Sequence, residues 1–327
     1  MKRRDVLILG AAAACAPVLV RRPVAQERYP ARAVRLVIPS VPAGVHDVIG
    51  RLWAERVKPI LGTIVIDNRG GGGGLIGAND VAHSPPDGYS ILLCSTSTQV
   101  LVPAAMANPP YDPIRSFAAV SVFAFSSTSI VVNPSVPAKT LGELIAHAKA
   151  NPGKLSYGSA GNGSITNLAG EYFKQLAGGL DVVHVPYRGI GQGVADLISG
   201  QIPIFSANAT AQILELHRAG KVRILSVNSE RRIKAGADIP TSAEAGLPGM
   251  VAQTTFGIFA PAGTPAPIVA RLNEVTQQVM ADEAFQNELL RIGFEPVRDV
   301  GLDKAMRVYQ DELVRWTPIL KANVAKP

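Results

Sequence analysis

The stretch that most constrains this chain is Ser156-Tyr157-Gly158-Ser159-Ala160-Gly161-Asn162-Gly163-Ser164, followed by residues 165–176. Residues 154–157 read as the end of a strand. Gly158, Gly161 and Gly163 permit backbone turns that a Cβ would block. Leu168, Tyr172, Phe173 and Leu176 then recur at helical spacing. A strand, a glycine loop and a helix start make an anion cradle. The free N–H groups of the first turn and the positive end of the helix dipole point into the loop. Ser159, Ser164 and Thr166 add hydroxyls, so the loop can hold a carboxylate or phosphate without a lysine or arginine. A plain tight connection with a serine N-cap reads equally well from this stretch alone.

The same alternation runs through the chain. Residues 34–38, 63–66 and 91–94 read as strands. Val48, Ile49, Leu52, Trp53, Val57 and Ile60 recur at helical spacing between the first two. Residues 75–81 form a second helical stretch. This pattern predicts α/β lobes with mostly parallel sheets. In such sheets ligands bind beyond the carboxyl ends of the strands. The strand-to-helix loops are therefore the candidate site. One is Pro39-Ser40-Val41-Pro42-Ala43-Gly44, with His46 and Asp47 opening the next helix. Asp47 reads as a helix-start acid, a brace for the loop, or a holder of a water or donor group. Another is Ser95-Thr96-Ser97-Thr98-Gln99, which lines a cleft or caps the next segment. The loop Asp67-Asn68-Arg69 with glycines 70–74 lacks the Lys-Ser/Thr of a phosphate loop and the layout of a dinucleotide site.

Residues 127–252 read as a second lobe. Residues 130–133, 181–185, 202–205 and 222–227 are predicted strands, and residues 140–150 and 194–199 predicted helices. Arg188, after the third of these segments, could pair with an anion or lie on the surface. From Pro265 onward three helical stripes follow. They are Val269, Leu272, Val275 and Val279; then Phe285, Leu289 and Ile292; then Leu302, Met306, Tyr309, Leu313 and Trp316. Such stripes make core.

Lys2, Arg3 and Arg4 precede an apolar run over residues 6–20, with Ala25 as a cleavage point, as in a secretory signal peptide. Arg3-Arg4 also fits a twin-arginine signal, and Ala14-Cys15 a degraded lipoprotein site. Residues 1–25 are therefore set aside from the fold. They hold five basic and one acidic residue, net +4, so the formal +7 of the chain falls to +3 for the rest. No basic block interleaved with aromatics remains, so nucleic-acid binding is not expected. The one remaining cysteine, Cys94, reads as a buried small hydrophobe. No two histidines pair at i,i+4, so no metal site is expected.

The residues carry a resemblance. Tyr29-Pro30, residues 35–39, Asp67-Asn68-Arg69, Gly77-Ala78, Pro86-Asp87-Gly88-Tyr89 and Tyr111-Asp112-Pro113 occur in order. Residues 133–137, 151–154, 158–164, 183–187, 239–241, 244–248 and 260–265 continue the series. This set, from about Tyr29 to Trp316, resembles the Bug family of exported solute receptors, the substrate-binding proteins of tripartite tricarboxylate transporters. The resemblance implies a two-lobed α/β periplasmic binding protein-like fold of type II, with the ligand cleft between lobes. It implies residues 26–126 and 253–327 as lobe I and residues 127–252 as lobe II. It implies a monomer in the periplasm, without cofactor or catalytic centre, that captures a small carboxylate and passes it to the membrane subunits of a transporter.

Carried over residue by residue, the first loop usually reads P-F/Y-x-P-G-G-x-x-D. Pro42, Gly44 and Asp47 match; Ser40 replaces an aromatic and Ala43 a glycine. The cradle from Ser159 to Ser164 matches, while Asn167 stands where a histidine is usual. A third segment usually reads F-D-N; here residues 205–208 are Phe-Ser-Ala-Asn and the acid is missing. The expected ligand contacts are thus Pro42, Ala43, Gly44, Asp47, Ser95, Ser97, Thr98, Ser159, Ala160, Gly161, Gly163, Ser164, Asn167 and Asn208. The competing class is a small-molecule α/β enzyme acting on a carboxylate. It would need a nucleophile–base–orienter set or a G-x-S-x-G elbow, and the sequence displays neither.

Overall fold

The computed structural model describes residues 29–297 and 301–324. The predicted signal segment lies outside the described residues. The first five segments are β1 (Val34–Ile38), α1 (Val45–Leu61), β2 (Ile64–Asn68), α2 (Leu75–Ala82) and β3 (Ser90–Ser95). A five-residue π-helical turn, Ser97–Leu101, runs into α3 (Val102–Ala104). The long β4 (Phe117–Val132) follows, then α4 (Leu141–Ala150), β5 (Leu155–Ser159), α5 (Ile165–Leu176) and β6 (Val182–Pro186). After α6 (Ile190–Ser199) come β7 (Ile204–Asn208), α7 (Ala211–Arg218), β8 (Arg223–Val227) and β9 (Gln253–Pro261). The chain ends through α8 (Ala266–Ala281), α9 (Glu283–Arg291), β10 (Glu295–Pro296) and α10 (Leu302–Val324).

Two sheets share one strand. The first runs β2-β1-β3-β9-β4, with β10 on β4; the second runs β6-β5-β7-β4-β8. In the first, β1, β2 and β3 are parallel and β9 is inserted antiparallel between β3 and β4. In the second, β5, β6 and β7 are parallel and β4 itself is the inserted antiparallel strand. Both lobes thus have the same strand order, and each borrows its antiparallel strand from a distant part of the chain. Parallel strands with a covering helix on each crossover bury both faces, which explains why β1 and β3 are nearly all apolar.

The residues 118–129 at the centre of β4 were not foreseen as strand. Their sequence, AAVSVFAFSSTS, has no alternation because both faces are covered and small residues fill the close approach to β9. Residues 202–205, predicted as strand, are replaced by β7 at Ile204–Asn208. Proline at 203 lacks the N–H that a ladder needs and marks the strand's first edge.

The helix stripes bury as expected in α8 and α9, at Leu272 and Val275 and at Phe285 and Leu289; in α1 Ile49, Trp53 and Val57 are buried, but Val48 and Ile60 of the expected stripe are exposed at its edges. In α10 the buried face is Ala305, Tyr309, Trp316 and Leu320, while Leu302 at the predicted start is exposed. This helix touches both sheets' layers. Tyr309 packs edge-on to Phe259 of β9, and Trp316 packs edge-on to Tyr172 of α5. Cys94 is fully buried, and desolvation pushes its thiol pKa up, so it is inert core.

Candidate functional site

The segment after β3 in one lobe meets the loop after β5 in the other. The Ser97 hydroxyl accepts a hydrogen bond at 3.0 Å from the backbone N–H of Ile165, the first residue of α5. Gly163 lies against Val102 and Ala105, where an added Cβ would come within 3.3 Å of the Ala105 methyl. The lobes are therefore in contact across the cleft.

In the first wall, Asp47 is almost fully buried in the first turn of α1. Its Oδ2 accepts from the Ala43 N–H at 2.8 Å and from Arg51 Nε at 2.9 Å; Oδ1 accepts from Asn68 Nδ2 at 2.9 Å. Burial would raise its pKa, but Arg51, the Ala43 N–H and Asn68 together hold it below the usual carboxylate value. Of the three roles open from the sequence, Asp47 fills that of brace. Ala43 keeps φ at +62° without being glycine, the conformation the loop demands and an L-residue resists. Pro42 and Ala43 stay exposed at the rim, while Gly44 caps α1 with its N–H on Val41 O. Ser95 is fully buried at the end of β3, its Oγ 2.8 Å from His46 Nε2. Desolvation lowers the His46 pKa to about 4, so the imidazole is neutral. Thr98 turns away, donating to the Gly73 carbonyl of the glycine loop.

In the second wall, Gly161 and Gly163 have φ of +116° and +72°, as the sequence requires. Ser164 is the N-cap of α5, accepting from Asn167 N at 3.2 Å. The expectation of a loop with free amides meets a loop whose amides are mostly engaged. Ala160 N donates to Thr166 Oγ1, Gly161 N to Ser159 Oγ, and Gly163 N to Asn167 Oδ1. The hydroxyls and the carboxamide thus turn back onto their own loop. Ser159 is fully buried, 2.7 Å from His184 Nε2, and His184 is also held neutral, its pKa lowered to about 4 mainly by desolvation.

Asn208 goes elsewhere. Its Nδ2 donates to Ser126 O at 3.2 Å and Thr254 Oγ1 at 2.8 Å, which ties β7 to the point where β4 passes between sheets. Arg188 is exposed on the loop after β6. An open groove of about 530 Å³ between α1 and α9 is lined by Asp47 and its partner Arg51 but by none of the other expected ligand contacts. His46 and Tyr157 lie in the candidate stretches, but their roles in the walls, like that of His184, depend on partners that spacing does not reveal. Their partners stand 49, 10 and 25 residues away, respectively. Two Ser–His pairs do not make a catalytic set: both serines are fully buried, and no carboxylate orients either histidine. Among the described residues no cluster of His, Cys, Asp and Glu could hold a metal ion.

Comparison with known proteins places this geometry. Residues 49–324 match the family model described as the tripartite tricarboxylate transporter family receptor. The chain is 33% identical to protein BugT of Bordetella pertussis over 309 residues, covering 94% of each. It superposes on Rpa4515 of R. palustris, solved with adipate, with a TM-score of 0.84, 32% identity, and 90% and 97% of the two chains covered. It superposes on MatC of Rhodopseudomonas palustris, solved with malate, with a TM-score of 0.82, 28% identity, and 89% and 100% covered. Members of this family are periplasmic solute-binding proteins that bind small carboxylates and serve tripartite transporters. The chain belongs to the tripartite tricarboxylate transporter receptor family, and is a solute receptor of the Bug type, not an enzyme.

Proposed function

We propose that this receptor captures a small mono- or dicarboxylate without an amino group, hydroxylated or aromatic acids included, and delivers it to the membrane subunits of a tripartite tricarboxylate transporter. It works as an exported, periplasmic monomer, with residues 26–126 and 253–327 as lobe I and residues 127–252 as lobe II. The acid lies between Pro42, Ala43, Gly44, Ser95 and Ser97 on one side and Ser159, Ala160, Gly161, Gly163 and Ser164 on the other. Asp47, Thr98, Asn167 and Asn208 shape these walls.

The observation that carries the ligand class is the state of Asp47. An ammonium group is favoured by an unpaired carboxylate in the cleft. Asp47 offers none, since Arg51, Asn68 and the Ala43 N–H fill its oxygens. The acid usual in the third segment is absent as well, with Ser206, Ala207 and Asn208 in its place. Relatives solved with adipate and malate support the same class.

Calorimetry should compare malate and succinate with aspartate, and benzoate with its amino-substituted relative. The amine-free member of each pair is expected to bind more tightly. An ammonium-bearing acid that binds at least about tenfold better in each pair, a difference of about 1.4 kcal/mol, would overturn the assignment.

A further inference from the structure

We infer that Tyr157 and Glu171 are positioning residues that set the shape of the cradle through Asn167, without touching the bound acid. This rests on the carboxylate reading above. Asn167 is 8% exposed and its side chain points inward. Its Oδ1 accepts from the Gly163 N–H at 3.0 Å, and its Nδ2 donates to the Tyr157 hydroxyl at 3.0 Å. The Tyr157 hydroxyl donates to Glu171 Oε1 at 2.7 Å. Lys174 Nζ donates to both oxygens of Glu171, at 3.0 and 3.1 Å.

The Tyr157 hydroxyl has two acceptors, Glu171 Oε1 at 2.7 Å and the Asn167 backbone carbonyl at 3.2 Å, and the shorter contact, to Glu171, sets the direction of the protons in this chain. A carboxylate only accepts, so Tyr157 must donate to Glu171. The tyrosine oxygen then accepts, and only the amide end of Asn167 can supply it. That leaves the Asn167 carbonyl facing the loop, where it takes the Gly163 N–H. Burial and the neighbouring Glu171 push the Tyr157 pKa up, so the phenol keeps its proton. Such chains strengthen each member by polarisation.

The tyrosine itself cannot drift. A Cβ on Gly170 would come within 2.2 Å of the Tyr157 ring, so the helix presses backbone against the ring face. His184 lies on it with ring centroids 4.8 Å apart. The result is a loop whose Gly163 amide is held by Asn167 rather than left free. Asn167, expected from the sequence as a ligand contact, is the inner link of this support.

Tyr157→Phe keeps the ring and removes only the hydroxyl. In the ligand-free full chain, hydrogen exchange at the Gly163 amide is expected to speed up at least about tenfold, with the α5 amide of Leu168 unchanged. Affinity for malate or adipate, whichever the wild type binds more tightly, is expected to fall roughly five- to tenfold. Glu171→Gln retains one acceptor oxygen and should show a smaller change in both readouts. Unchanged Gly163 exchange in Tyr157→Phe would overturn the inference. So would faster exchange with unchanged affinity. If the wild type binds neither acid, the ligand class proposed above falls, and the exchange measurement still decides whether the network holds the loop.

Discussion

The two walls of the cleft solve the same problem with different chemistry. Each ends a central strand in a buried serine, Ser95 on β3 and Ser159 on β5, and each serine is held by a neutral histidine. Behind them the supports differ. The first wall is braced by a buried ion, Asp47, with Arg51 and Asn68 around it. The second is braced by a neutral carboxamide, Asn167, which is tied through the Tyr157 hydroxyl to the Glu171–Lys174 ion pair one and two turns further along the same face of α5. The first brace forces an alanine to φ +62°, whereas the second uses glycine wherever φ is positive. What this teaches is where charge is kept. In both walls the carboxylate is paired: Asp47 by Arg51, Asn68 and the Ala43 N–H, Glu171 by Lys174 and Tyr157.

The largest expected break in the comparison comes from the second wall. Gly161→Val forces a β-branched residue to φ +116°, with its Cβ 3.1 Å from the Tyr187 carbonyl. Backbone strain of this kind costs about 1–3 kcal/mol, and the displaced loop also loses its contacts with the acid. Affinity for a bound carboxylate should fall by two orders of magnitude or so. Ser159→Ala, which leaves the backbone in place, should cost about 1 kcal/mol. Titration calorimetry on both variants checks this, and equal small losses would mean that the cradle does not bind.

A smaller effect, common to both walls, depends on pH. His46 and His184 have folded pKa values of about 4, below the ordinary value of about 6.5. Between these values the unfolded chain binds the protons and the folded chain does not. Stability is therefore complete above about pH 6.5 and falls as the pH drops toward 4, by up to about tenfold in the folding constant per pH unit for each histidine. His46→Gln and His184→Gln should each flatten this slope by a similar amount, because both folded values lie near 4. Urea unfolding from pH 4.5 to 7 measures it. A double variant that keeps the full slope would assign the acid sensitivity elsewhere.

Much of the fold could be read from local pattern. The parallel units, the stripes of α8 and α9 and the glycine turns at Gly161 and Gly163 all follow from spacing within a dozen residues. What could not be read depends on partners far apart. The length of β4 is invisible because β9, more than 120 residues later, covers it. The role of Ser97 requires an amide 68 residues away. Asp47 could be placed at a helix start, but choosing the brace over the ligand contact needed Arg51 and Asn68 in space. Asn167 was expected at the cleft because it stands in the first turn of α5; its side chain turns inward because the Tyr157 hydroxyl offers it a buried partner.

The central claim, a carboxylate clamped between these two walls, is tested most directly by small-angle X-ray scattering. The two sheets are joined where β4 changes partners at Ser127 and Thr128 and where β9 begins at Gln253, and a clamp would hinge at these adjacent strands. Protein saturated with malate or adipate, whichever binds, should scatter like the closed arrangement described above, with Ser97 on Ile165. Ligand-free protein should show a larger radius of gyration. The same radius with and without a tightly bound acid would contradict a clamp.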